Sequence, residues 1–316
     1  MIITTPTWYM LFVLSVLRRN ATSAIALKGL QRITATMATK RPHCQRLIGM
    51  EGSHHKVNDV VVAGRSVKTA KQHVFFFGGD VQDYEEKMHV CNSEYIEWNV
   101  EATAELLFRR FPEGMIMVVK PKTMYLNTFS IFSNFVDFSE TSVPTHREDY
   151  GGLVHLVKLY SNILNRLQSG DHDPENSCDK YTCNPNVDII LIGFSKGCVV
   201  LNQFIYELNL ADLEKNVKAF LEKVKSMYWL DGGHNGVSNT WITDRLLLKQ
   251  LAAQNFEIYT HVTPYQVMDP MRAWLGQEQA TFVKELKDLG ANVKNFEHHF
   301  KEKPSIEKHF DVLKQF

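Results

Sequence analysis

The chain has 316 residues, 44% of them apolar and 22% charged, and its 35 basic and 35 acidic side chains cancel to a formal charge of zero. That composition excludes a disordered or fibrous polymer, and the length suffices for one large α/β domain with a sizeable core. The balance conceals an asymmetry: residues 1–50 hold seven bases and no acid, which leaves 28 bases against 35 acids beyond them, a formal −7 that suits no nucleic acid.

Residues 1–50 read as a mitochondrial targeting segment. They are rich in Arg, Ser and Thr, with Ile25, Leu27, Leu30 and Ile33 spaced among the bases. A secretory signal built on Trp8–Leu17 has its charges on the wrong side of the apolar run, and the run is too short to span a bilayer. No transmembrane segment is expected. Residues 51–316 are expected to form a single domain. The five cysteines are few and odd in number, which argues against a disulfide framework. Cys178 and Cys183 fall in a polar loop with no second ligand pair, so no metal site is expected.

Val57–Ala63 and His73–Phe77 read as strands. The second runs into Gly78-Gly79-Asp80, where backbone N–H groups can face a bound oxyanion. Residues 94–111 carry a helical apolar stripe through Ala104, Leu107, Phe108 and Phe111. Met115–Val119 is a strand. The aromatics Tyr125, Phe129, Phe132, Phe135 and Phe138 follow, suited to core or lid packing or to lining an acyl pocket. Gly151–Leu167 is a helix, and 169–186 a polar surface excursion.

Val187–Ile192 is an apolar, β-branched strand that enters Gly193-Phe194-Ser195-Lys196-Gly197, a G-x-S-x-G pattern. Val200, Phe204 and Leu208 then recur at helical spacing. Strand, tight turn and helix make this a nucleophile elbow, which sets Ser195 at the carboxyl edge of the sheet. Downstream, helices are expected at 211–225, 242–253, 273–289 and 304–316, with Leu213 on the buried side of the first. Strands are expected at 226–230, 256–262 and 292–297. The alternation predicts an α/β-hydrolase-like fold, a mostly parallel central sheet with helices on both faces.

Groups at three strand ends come in the order Ser, Asp, His. Ser195 is the expected nucleophile, Asp269 the acid and His299 the base, with Asp231, His298 and His309 as alternatives. The N–H groups of Lys196 and of Gly79 or Asp80 would form the oxyanion hole. His234 and Phe194 are candidate substrate contacts. No metal or organic cofactor is called for, and the expected ligand is a small acyl substrate.

Phe76–Tyr84, Ile192–Gln203, Met227–His234, Thr260–Val267 with Asp269–Arg272, and Pro304–Glu307 together resemble the mitochondrial chromosome 2 open reading frame 69 family, a set of α/β-hydrolase-like proteins. The resemblance spans residues 72–316 and carries Ser195 over as the nucleophile. It implies a mitochondrial, matrix-located serine-hydrolase-like protein with a role in mitochondrial homeostasis and a protein partner in glycogen metabolism. It supplies no substrate, and a catalytically silent scaffold on the same fold is the alternative. Gly78 replaces the proline expected before Gly79-Asp80, and the loop before the elbow strand is short. Both changes bear on pocket shape.

Overall fold

The computed structural model describes residues 44–169, 186–236 and 238–316, with no side-chain description for 211 and 212. Most of the targeting segment and the loop bearing Cys178 and Cys183 lie outside these residues. In chain order the strands and helices begin with β1 (Cys44–Glu51), β2 (Val57–Gly64), β3 (Gln72–Phe77), α1 (Glu85–Cys91), α2 (Val100–Arg110) and β4 (Gly114–Val119). Two short ribbons follow, β5 (Thr123–Tyr125) with β6 (Phe129–Ile131) and β7 (Asp137–Phe138) with β8 (Pro144–Thr145). Then come α3 (Gly152–Ser169), β9 (Asp188–Phe194), α4 (Cys198–Tyr206), α5 (Lys215–Leu221), β10 (Val224–Leu230) and α6 (Arg245–Ala252). The chain closes with β11 (Glu257–Val262), α7 (Pro264–Val267), α8 (Trp274–Asp288), β12 (Asn292–Glu297) and α9 (Ile306–Gln315).

Eight strands form one sheet in the order β1-β2-β4-β3-β9-β10-β11-β12. The β1/β2 and β2/β4 pairs are antiparallel and the rest parallel. This is the α/β-hydrolase sheet. Side chains of a strand alternate between faces, and here both faces are covered. Phe75, Phe77, Met117, Leu191 and Trp229 enter one core with α3, α4, α6 and α8. Val74, Phe76, Val118, Ile192 and Leu230 enter the other, with α2 and α9. Strands buried on both sides read as unbroken apolar runs, and so they were easy to place.

Three expectations need correction. Residues 44–50, assigned to the targeting segment, are the sheet's edge strand, so the folded domain begins before residue 51. Only Leu47 of β1 is buried, and a strand so open to solvent lacks the apolar alternation that would announce it. The helix expected over 94–111 breaks at Asn99. Its side chain accepts from Ala102 N–H at 2.7 Å and caps α2, while Ser93–Trp98 is a 3₁₀ turn. The helix over 211–225 shortens to α5, because Val224 already belongs to β10, and Leu213 is 81% exposed.

Buried polar groups pin the antiparallel side. Ser53 N–H donates to His155 Nδ1 at 2.9 Å, so the ring proton is on Nε2 and meets Asn58 Oδ1 at 2.8 Å. Burial pushes His155 down to about 3, and His73 to about 4. A histidine held neutral when folded takes a proton near 6.5 when unfolded. Stability is therefore full above about 6.5 and is lost as pH falls towards these lower values. For His155 the loss is on the order of 2 kcal/mol at pH 5. Urea unfolding at pH 7 and pH 5 should show His155→Gln losing less stability than the wild type between the two pH values. An equally steep variant would refute this account.

Candidate active site

Ser195 sits between β9 and α4 with φ at +52°, a left-handed conformation that costs a non-glycine residue about 1–2 kcal/mol. Its neighbours must be small. A Cβ on Gly197 would lie 2.0 Å from the Phe77 carbonyl oxygen, and one on Gly193 would lie 2.8 Å from Cys198 Cα. A Cβ on Gly79 would lie 2.7 Å from Ser195 Cβ, so the turn after β3 passes directly over the elbow serine. Behind the serine, Cys198 Sγ donates to Gly193 O at 3.2 Å, and burial pushes this thiol up.

The carboxylate that meets an imidazole here is Asp231, at the end of β10. It is fully buried and also at positive φ, +48°. Its Oδ1 accepts from Thr263 N–H at 2.7 Å, and its Oδ2 accepts from Thr263 Oγ1 and His309 Nδ1, both at 2.6 Å. An ionised carboxylate only accepts, so the proton of neutral His309 is on Nδ1 and its Nε2 carries the lone pair. No described residue hydrogen-bonds to that Nε2 or to Ser195 Oγ. His309 lies in the first turns of α9, which Ser305 caps through Lys308 N–H at 3.4 Å. Its ring stacks on Phe194, the residue before the serine, at 4.7 Å, with Tyr265 at 5.0 Å on its other contact. Gly233 N–H donates to Ser195 O at 3.3 Å and ties the Asp231 loop to the elbow.

The structure does not join Asp269 and His299. Asp269 caps the turn Pro270–Arg272, accepting from Met271 N–H at 2.9 Å and Arg272 Nε at 2.7 Å. His299 lies 2.8 Å from Glu302 Oε1 and 3.1 Å from Asp311 Oδ2. His298 engages His261 at 2.9 Å and Gln315 at 3.0 Å. The two histidines, just past the end of β12, tie that end to Asp311 and Gln315 on α9. The alternatives Asp231 and His309 are the pair that forms.

Two expected substrate contacts are also displaced. Phe194 is fully buried and packs the imidazole. His234 is buried, its Nδ1 accepting from Gly236 N–H at 2.9 Å and its Nε2 donating to Asn239 O at 3.2 Å. Burial pushes it down to about 3, so it stays neutral and shapes its own loop. Of the aromatic segment, Phe132 and Phe135 pack on Phe77 in the core, and Tyr125 is exposed.

Gly79 is corrected as an oxyanion donor, because its N–H is taken by Gln82 Oε1 at 2.9 Å. The next N–H, that of Asp80, has no acceptor among the described residues. Lys196 N–H stands in the first turn beyond the serine, where a helix supplies no acceptor of its own. Strand β6 holds the Asp80 turn in place: Ser130 Oγ donates to Gly79 O at 2.5 Å, and Ser130 N–H to Asp80 Oδ1 at 2.7 Å. Gln82, Ser130 and Thr263 were missed in the sequence. Only Thr263, a threonine before proline at a strand end, carried a readable signal, that of a helix cap.

The model of the C2orf69 family matches residues 46–188 and 170–292. The mitochondrial protein C2orf69 homolog of Mus musculus is 40% identical over 285 residues, covering 78% of each chain. The human mitochondrial protein C2orf69 is 40% identical over 286 residues, covering 78% of this chain and 74% of its own. The Danio rerio homolog is 38% identical over 290 residues, covering 86% and 85%. Among solved structures, a carboxyl esterase 2 of Tuber melanosporum matches at 11% identity and a TM-score of 0.46, covering 85% of this chain and 80% of that one.

The strain at the elbow gives a stability test. Glycine relieves a left-handed position and alanine does not. Ser195→Gly should therefore be about 1 kcal/mol more stable than Ser195→Ala in denaturant unfolding. Equal stabilities would mean the serine is not held at positive φ.

Proposed function

The chain belongs to the C2orf69 family, and from that premise we propose that it is a serine hydrolase cleaving an ester, thioester or related acyl bond. The observation that carries this reading is the Asp231–His309 pair, packed through Phe194 against a strained serine at a nucleophile elbow. His309 Nε2 takes the Ser195 hydroxyl proton as Oγ attacks the acyl carbon, and Asp231 stabilises the imidazolium that results. The N–H groups of Lys196 and Asp80 receive the oxyanion. Removing one such donor typically costs about 3–4 kcal/mol of barrier stabilisation. The tetrahedral intermediate then expels the alcohol or thiol, which leaves with the proton from His309. Water, deprotonated by the same nitrogen, hydrolyses the acyl-serine and restores the free hydroxyl. Asp269 and His299 have no part in these steps.

The relatives are named as mitochondrial proteins, and we place this chain in mitochondria, in the matrix. Among the described residues no helix is long and apolar enough to cross a membrane. The link to glycogen handling rests on the sequence resemblance alone.

Covalent labelling by a fluorophosphonate probe tests the assignment. Wild type should label, Ser195→Ala should not, and His309→Ala and Asp231→Asn should label at least 100-fold more slowly, as loss of a triad member does. His299→Ala and Asp269→Asn should label within about threefold of wild type. Folded wild-type protein that stays unlabelled would favour a silent scaffold, and slow labelling of His299→Ala would restore the original choice of base.

A further inference from the structure

We infer that the site selects acyl substrates bearing a free carboxylate, which Lys196 binds beside the nucleophile. The inference deepens the acyl-hydrolase reading and rests on it. The Lys196 side chain is 1% exposed, and its Nζ has no hydrogen-bond acceptor among the described residues. Two aromatic rings flank it, Phe129 with its centroid at 5.8 Å and Phe138 at 5.7 Å. Aromatic faces attract a desolvated cation, but they accept no strong hydrogen bond. The ammonium therefore holds three donors in a closed site with nothing to receive them.

Asp80 does not fill that role. Its carboxylate and the ammonium feel each other, yet no contact ion pair joins them among the described residues, and Asp80 Oδ1 is engaged by Ser130 N–H. Burial pushes Lys196 down and Asp80 up, each with only partial compensation by the other. An ammonium taken out of water without an acceptor destabilises a fold, and an apolar side chain of similar volume would be better tolerated. Stability therefore gives no reason for a lysine here, whereas a ligand's oxygen does.

The position of the charge identifies the ligand. Lys196 directly follows the nucleophile, and the Phe129 ring it faces stands in β6 next to Ser130, which holds the Gly79-Asp80 turn over Ser195, so the ammonium lies on the oxyanion side of the serine. The site offers one ammonium with no acceptor among the described residues, which matches one carboxylate. A phosphate dianion would leave charge uncompensated among phenyl rings. A carboxylate a few bonds from the scissile acyl carbon, as in a half-ester or half-thioester of a dicarboxylic acid, matches one ammonium. The ion pair would form in a dry site, where such contacts are strong.

The test compares Lys196→Met with wild type in three measurements on the full chain. Without ligand, Lys196→Met should melt at a higher temperature. A variant that melts lower, or does not fold, would make the lysine structural and overturn the inference. Glutarate should raise the melting temperature of wild type while glutaramide does not, and Lys196→Met should bind glutarate at least tenfold more weakly. Glutarate binding that survives the substitution, or equal binding of the diamide, would likewise overturn it. Finally, the ratio of kcat/KM for the p-nitrophenyl half-ester of glutarate to that for p-nitrophenyl valerate should fall at least tenfold in Lys196→Met, and an unchanged ratio would refute the assignment. Fluorophosphonate labelling of wild-type Ser195 separates the two claims. Labelling without carboxylate preference sinks the selectivity alone, and Lys196-dependent glutarate binding without labelling sinks the hydrolase reading while the carboxylate site stands.

Discussion

One hydrogen bond of 2.6 Å, between the His309 imidazole and the buried Asp231 carboxylate, joins the last helix to the middle of the sheet. The aspartate is held from three directions: Thr263 donates twice, and the backbone N–H of Asp231 reaches His261 O at 2.7 Å in the neighbouring strand. A buried charge so surrounded is satisfied, and it can fix the tautomer of its partner. With the core packing of Phe310, Val312 and Leu313, that contact holds α9 over the elbow strand, and it leaves the imidazole's Nε2 without a hydrogen bond among the described residues.

The serine side depends on a different constraint, the near absence of space. The elbow, the turn after β3 and the start of α4 approach so closely that Gly79, Gly193 and Gly197 admit no side chain. Strain at Ser195 persists because the surrounding sheet leaves the turn nowhere to relax. The two constraints meet through Phe194, which belongs to the elbow strand and carries the imidazole on its ring face.

How far the sequence could be read follows from the range of each signal. The elbow is local: fifteen consecutive residues hold strand, turn and helix, so the turn that carries Ser195 was legible. So were the central strands β3, β4, β9 and β10, because their apolar runs are buried on both faces. Which carboxylate meets which imidazole depended on where a loop and a helix dock, and no short pattern records that. His299, just past a strand end, had the position a base should have, and His309 fell inside the expected last helix. There it belongs to the buried face, since Phe310, Val312 and Leu313 beside it are core. The face it shares happens to overlie the elbow. Asp269 lost to Asp231 for a similar reason: its own helix turn and Arg272 claim it locally. The edge strand β1 was hidden by its exposure, and the orphaned ammonium of Lys196 by the distance in sequence between it and the aromatics around it.

Cys198 carries a consequence of another kind. Its sulfur lies under the elbow, hydrogen-bonded to Gly193 and held in the thiol form. Peroxides, disulfide exchange and alkylating agents all act through an accessible thiolate. Cys198, sealed and protonated, is closed to that chemistry, so the packing beneath the elbow withstands oxidants that modify accessible thiols.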